Sequence, residues 1–114
     1  EYAGDYLREA MPEPVDIGRG HEVPAFRNAV YVAVGLDGEV LYVGSTARIS
    51  ENALKKRIRE HSQRPGRFAR WSLLYVVPLM DSTPLTAVRQ IEGRVGAHLG
   101  PKESKALPRI GKRD

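Results

Sequence analysis

The chain has 114 residues and no cysteine, with 18 Lys and Arg against 14 Asp and Glu and a formal net charge of +4. That length supports one compact domain with a modest core, and the missing cysteines exclude disulfides and thiolate metal sites. No apolar run approaches a membrane span and no signal-peptide pattern opens the sequence, so the expectation is a cytoplasmic, non-membrane protein; because residue 1 is Glu, a longer parent chain stays open.

In chain order, residues 3–11 (AGDYLREAM) suit a short helix stopped by Pro12 and Pro14. Residues 12–24, with Pro, Gly and acids, read as a connecting segment. Residues 29–35 and 40–45 form a hairpin around Asp37-Gly38. Residues 51–62 (ENALKKRIREHS) have a helical period, and QRPGRF follows as a turn. Residues 71–79 (WSLLYVVPL) are an apolar strand with Pro78 near its end. Residues 84–99 form a second helix, with Thr83 as N-cap, Pro84 at the first helical position and Gly100-Pro101 as its stop. The tail from 102 is basic. The order β-β-α-β-α predicts an α/β (α+β) domain, a small three-stranded antiparallel sheet flanked by helices.

Charge is uneven along this order. Residues 1–20 carry five acids and two arginines, whereas residues 48–70 carry eight basic side chains against two acidic ones. A block of that kind suits a polyanion partner, although a solvated helix and loop would have the same composition.

An Asp37-Gly38 two-residue turn pairs Val34 with Leu41 and Val32 with Val43, which gives one aliphatic face. The other face then carries Tyr31 opposite Gly44 and Ala33 opposite Tyr42. The tyrosines become diagonal neighbours about 7–8 Å apart, with small residues across from each ring. A one-residue bulge would break this parity. Alternatively, both rings pack under a helix and their hydroxyls find backbone partners.

Two helices carry polar residues where apolar ones are expected. The stripe from Leu54 runs through Arg57 and Ile58 to His61. An Arg there needs a partner unless it snorkels to the edge. In the second helix Leu85, Val88, Glu92, Val95 and Leu99 keep a 3-4 spacing, so Glu92 stands in an apolar series. A carboxylate there needs a charged partner, a proton or a metal. An ion pair with Arg57 and a metal site both satisfy it.

These residues resemble the motifs of the GIY-YIG endonucleases. AVY at 29–31 and YVG at 42–44 are similar to the paired strand motifs, GST at 44–46 to the small hydroxyl residues after them, Arg57 and His61 to the helix with Arg and His four apart, and Glu92 to the single essential Glu. The resemblance spans about residues 28–98. Ala29 and Val30 depart conservatively from the family's Gly and Ile, and no Asn follows the Glu helix. The resemblance implies a GIY-YIG-like domain over 25–114, with 1–24 as an N-terminal helix and connecting segment.

It also implies hydrolysis of phosphodiester bonds in DNA, with RNA and branched DNA left open, and Mg²⁺ or Mn²⁺ as cofactor. The implied catalytic set is Tyr31, Tyr42, Arg57, His61 and Glu92, with Glu92 as metal ligand. Tyr31 is the favoured base, in a role exchangeable with Tyr42. Arg57 braces the transition-state charge, and His61 orients Tyr31 or contacts phosphate. Gly44, Ser45, Arg48, Lys55, Lys56 and Arg64 are the implied nucleic-acid contacts. A non-catalytic nucleic-acid-binding module is the alternative, and a protein-interaction domain a third. Monomer and homodimer both stay open. The reading requires the side chain of residue 92 not to lie across the sheet from residues 31 and 42.

Overall fold

The computed structural model describes residues 13–19, 22–47, 52–63 and 65–100. The expected helix over 3–11, Arg48, Arg64 and the tail from 102 lie outside the described residues. The elements are β1 (Val15–Asp16), a 3-10 turn (Ile17–Arg19), β2 (Asn28–Val34), β3 (Val40–Ala47), α1 (Ala53–Ser62), α2 (Pro65–Phe68), β4 (Leu73–Leu79) and α3 (Leu85–Leu99).

The domain is α+β, with an antiparallel sheet of four strands in the order β1-β4-β2-β3. The fourth strand corrects the three-stranded expectation. It comes from the segment read as a connection, where Val15 pairs with Leu74 and Asp16 with Leu73. Two residues flanked by Pro14 and Gly18 carry no period-2 pattern, so sequence periodicity cannot flag them. QRPGRF was expected as a turn; four of its residues form the single helical turn α2.

The hairpin departs from the expected turn in an instructive way. The Gly38 N–H bonds the Gly35 carbonyl at 3.0 Å, and the Gly35 N–H bonds the Glu39 carbonyl at 2.9 Å. Gly38 has φ +83°. The loop is therefore the three residues Leu36, Asp37 and Gly38, with Gly in the left-handed position that such loops demand. That shifts the pairing by one, so Val34 faces Val40. A register shift between Ala33 and Val34 then restores the expected pairs, Ala33 with Tyr42, Val32 with Val43 and Tyr31 with Gly44. The longer loop and the bulge offset one another. Leu41 is the residue displaced: it joins the tyrosine-side core rather than the aliphatic face assigned to it.

The two main helices cover opposite faces. On one, Leu54 and Ile58 of α1 pack with Ala29, Tyr31, Ala33, Leu41 and Leu74. On the other, Val88 and Ile91 of α3 pack with Val30, Val32, Val34, Val43 and Leu79. The backbone N–H of Leu54 bonds the Phe26 carbonyl at 2.9 Å, tying the start of α1 to the approach to β2. The buried Asn28 side chain donates to the carbonyls of Met80 (3.1 Å) and Asp81 (3.3 Å), which fixes the loop that launches α3. Pro84 is the N-cap rather than the first helical residue, and Gly100 (φ 60°) closes α3 as expected. Among the described residues no helix is long and apolar enough to cross a membrane.

Candidate active site

Tyr31 lies on the central strand β2 and is fully buried, with 0% of its surface exposed. Its hydroxyl is 2.8 Å from Nε2 of His61, and the Arg57 guanidinium is near enough to favour its charged form. Both partners come from α1, four residues apart on one helical side. His61 is only 4% exposed, as expected for a residue in the Leu54–Ile58 stripe. Arg57 sits at the shoulder of that stripe. Its ion pair is with Glu60, Nη1 to Oε1 at 3.0 Å, and not with Glu92.

The Tyr31 and Tyr42 ring centroids are 6.2 Å apart and their planes 24° from parallel, so the diagonal pair expected from the sequence is present. His61 meets the Tyr42 ring edge-on at 4.8 Å. Trp71 backs both, with its centroid 5.4 Å from Tyr42 and 4.9 Å from His61, and Phe68 lies 5.1 Å beyond it. Sequence reading missed this support. The available signal was the chain's only tryptophan placed at the mouth of an apolar strand.

Gly44 makes room for the hydroxyl. A Cβ built on it would stand 2.5 Å from Tyr31 Oη and 2.9 Å from a Tyr42 ring carbon. No side chain other than hydrogen fits between the two rings and the strand. The Tyr31 hydroxyl therefore lies against the bare backbone of Gly44 on β3, and β3 is the edge of the sheet.

Glu92 is the residue for which the sequence expectation needs correction. The 3-4 series Leu85, Val88, Glu92, Val95 and Leu99 runs along the margin of the buried stripe: Val88 is buried and Val95 packs against the core, but Leu85 and Leu99 are exposed. Ala87, Val88 and Ile91 face the sheet, and Glu92 projects from the shoulder. Moreover α3 packs on the face opposite the tyrosines, so the site is not one floor shared by all five residues. Glu92 instead reaches the edge strand, where Ser45 Oγ–H donates to its Oε1. Its charge is still felt by Tyr31, and that of Arg57 by Glu92. Ser45 follows Gly44 and pairs with Val30, so it faces α3. Glu92 thus approaches from the α3 side, and the expectation that it would not lie across the sheet from Tyr31 and Tyr42 is not met. Its coupling to Tyr31 is one of charge.

The electrostatics follow from burial first. Desolvation pushes the Tyr31 phenol well above the ordinary tyrosine value, Tyr42 adds to this, Arg57 opposes it by charge and hydrogen bond, and Glu92 raises it further. Burial lowers Arg57, but Tyr31, Glu60 and Tyr42 outweigh it and its net shift is upward. Burial also raises Glu92, against the Ser45 hydrogen bond and the charges of Arg89 and Arg57. Glu92 is thus a partly desolvated carboxylate that accepts from Ser45 and feels the charges of Arg89 and Arg57.

The remaining expected contacts are scattered. Lys56 is exposed on α1. Lys55 projects from the other shoulder of α1 from Arg57 and pairs with Glu22 at 3.8 Å. Among the described residues no group of three or more His, Asp or Glu could hold a metal. The donor set here is one hard carboxylate. It fits a Mg²⁺ or Mn²⁺ ion that takes its other ligands from water and substrate phosphate, and does not fit a protein cage.

No protein-family model matches the chain, and no curated protein or solved structure is detectably similar to it.

Proposed function

We propose that this domain is a divalent-metal-dependent endonuclease of the GIY-YIG type, hydrolysing phosphodiester bonds in DNA. The observation that carries the reading is the Tyr31 hydroxyl, buried, 2.8 Å from His61 Nε2, under the charge of Arg57 and set against the side-chain-free Gly44. A tyrosine serving only to fill the core needs one partner for its hydroxyl. This one has an imidazole and a guanidinium, and a carboxylate within electrostatic reach.

Tyr31 takes the proton of the attacking water at Oη while its own proton passes to Nε2 of His61. This relay suits a phenol whose burial disfavours a free phenolate. The water oxygen bonds to phosphorus, the bond to the 3′ oxygen breaks, and that oxygen leaves with a proton from solvent. Arg57 stabilises the charge that gathers on the phosphoryl oxygens, with Glu60 holding its fork in place. Glu92 would hold the Mg²⁺ or Mn²⁺, which supplies further charge neutralisation when bound. Tyr42, half-buried and braced by Trp71, orients the water or phosphate.

Incubation of the 114-residue protein with supercoiled plasmid tests this, in Mg²⁺, in Mn²⁺ and with chelator. Nicking that depends on the metal and drops about 10²-fold or more in Tyr31→Phe and Glu92→Gln is expected, on the scale at which proton-transfer and charge-stabilising groups contribute. Equal cutting by these variants would refute the mechanism. A larger loss in Tyr42→Phe than in Tyr31→Phe would exchange the two roles. Tight binding with no cutting under any metal would make the domain a non-catalytic nucleic-acid-binding module.

A further inference from the structure

Of the basic block, Lys55, Lys56, Arg57 and Arg59 are carried by α1, which covers one face of the sheet, while Glu92 is on α3, which covers the other, and Ser45 beside it is on the edge strand β3. A polyanion reaching Tyr31 and Glu92 together must therefore pass across that edge and meet α3. The shoulder of α3 that it meets is defined by Glu92 and its contact with Ser45. Arg89 lies three residues earlier and so on the same side of the helix. It is exposed, with no ion pair to a carboxylate among the described residues, and its charge reaches Glu92. The charge of Arg57, carried on α1, also reaches Glu92. The result is a carboxylate under the charge of two guanidiniums from two helices, one of them already paired with Glu60 and the other open to solvent.

We propose that Arg89 binds a backbone phosphate of the nucleic acid, so that the substrate lies across the β3 edge between Arg57 on one side and Arg89 on the other. This rests on the nuclease reading and adds to it the α3 half of the interface, which no feature of the basic block indicates. The planar guanidinium suits a bidentate phosphate contact. Such a contact gives affinity without sequence preference and contributes close to one unit to the slope of log affinity against log salt.

Arg94 is the internal control. It is equally exposed on the same helix, but two residues beyond Glu92 it projects from another side. The experiment measures binding of a fluorescent DNA duplex to the 114-residue protein in chelator, over a series of salt concentrations, for wild type, Arg89→Ala, Arg89→Lys and Arg94→Ala. Arg89→Ala is expected to weaken binding about 5- to 20-fold and to flatten the salt slope by about one. Arg89→Lys should keep the slope while losing part of the affinity, and Arg94→Ala should change affinity less than about two-fold. Wild-type affinity and slope in Arg89→Ala overturn the proposal, as does an equal loss in Arg94→Ala, which would mean diffuse attraction. In either case wild-type cutting of plasmid leaves the nuclease reading standing. A wild-type protein that neither binds nor cuts overturns both.

Discussion

The two faces of the sheet are made by the same strands and are buried under one helix each, but they are packed from different materials. Beneath α3 lie Val30, Val32, Val34, Val43, Leu79, Val88 and Ile91, with no polar atom among their side chains. Beneath α1 lie Tyr31, Tyr42, His61 and Trp71 in mutual ring contact, with Arg57 at the margin. The first arrangement gains free energy from burial and asks nothing of geometry beyond fit. The second buries hydroxyl, imidazole and guanidinium groups that are satisfied only in one arrangement. Both faces gain from apolar burial, since Leu41, Leu54, Ile58 and Leu74 also pack on the α1 side. The α3 face has that alone, whereas the α1 face adds chemical capacity, with Glu92 set at the shoulder of α3.

Substitutions can break that division or sharpen it. The largest effect is expected at Glu92: Glu92→Gln should reduce cutting about 10²- to 10³-fold while raising the melting temperature. The sign follows from linkage. Burial raises the native Glu92 pKa above its unfolded value, so the native state binds the proton more tightly. Stability therefore falls as pH rises from below the ordinary carboxylate range through the raised value, and the deficit persists at neutral pH. Gln carries no such deficit, so its advantage should vanish in acid, where Glu92 is protonated. A melting-temperature gain independent of pH would place its origin elsewhere.

Leu79→Ala acts on the aliphatic face alone. Leu79 is fully buried there, and the substitution should cost about 2–5 kcal/mol in denaturant unfolding. Cutting by the folded fraction should be unchanged; a matching loss of activity would show that the faces are not separable.

Gly44→Ala sets a methyl group against both rings and should destabilise the fold by about 1–3 kcal/mol, with cutting reduced at least about ten-fold as the rings shift. Gly66→Ala is its counterpart. Nothing lies within 4 Å of a Cβ there, so its unfolding midpoint should stay level or rise slightly. Equal tolerance at both glycines would mean that Tyr31 does not need the space.

Among the substitutions that remove or crowd a contact, the smallest stability loss is expected from Tyr31→Phe, about 1 kcal/mol, because the ring still fills its slot and only the hydroxyl contacts are lost. Wild type should also lose stability in alkali above the ordinary tyrosine range, since the unfolded chain ionises there while native Tyr31 keeps its proton. A smaller loss in Tyr31→Phe, followed by circular dichroism, would assign that alkaline loss to this phenol.

Much of the site was legible before any coordinates. Period-2 alternation placed Tyr31 and Tyr42 on one face, and the Arg57–His61 spacing placed both on the inner side of α1. The hairpin pairs at Tyr31 and Ala33 came out as expected although the turn did not, because loop and bulge shifted the register in opposite directions. Glu92 was recognised as unusual, but its setting was misread. The 3-4 series follows the margin of the buried side, with Val88 buried and Val95 packed against the core, and only packing against β2 and β3 added Ala87 and Ile91 to the stripe and left Glu92 at its shoulder. Strand β1 was invisible because its two residues acquire their conformation from pairing with β4 rather than from any pattern of their own.

By itself the sequence determined the local periods, the helix stops, and which residue types could meet on each element, because those depend on interactions within a few residues of chain. Only the tertiary structure decided that α1 and α3 take opposite faces, that β3 forms the edge, and that Glu92 meets Ser45 on the α3 side of it. Those outcomes depend on how buried area is shared among distant segments, and that balance is not written in the neighbourhood of any single residue.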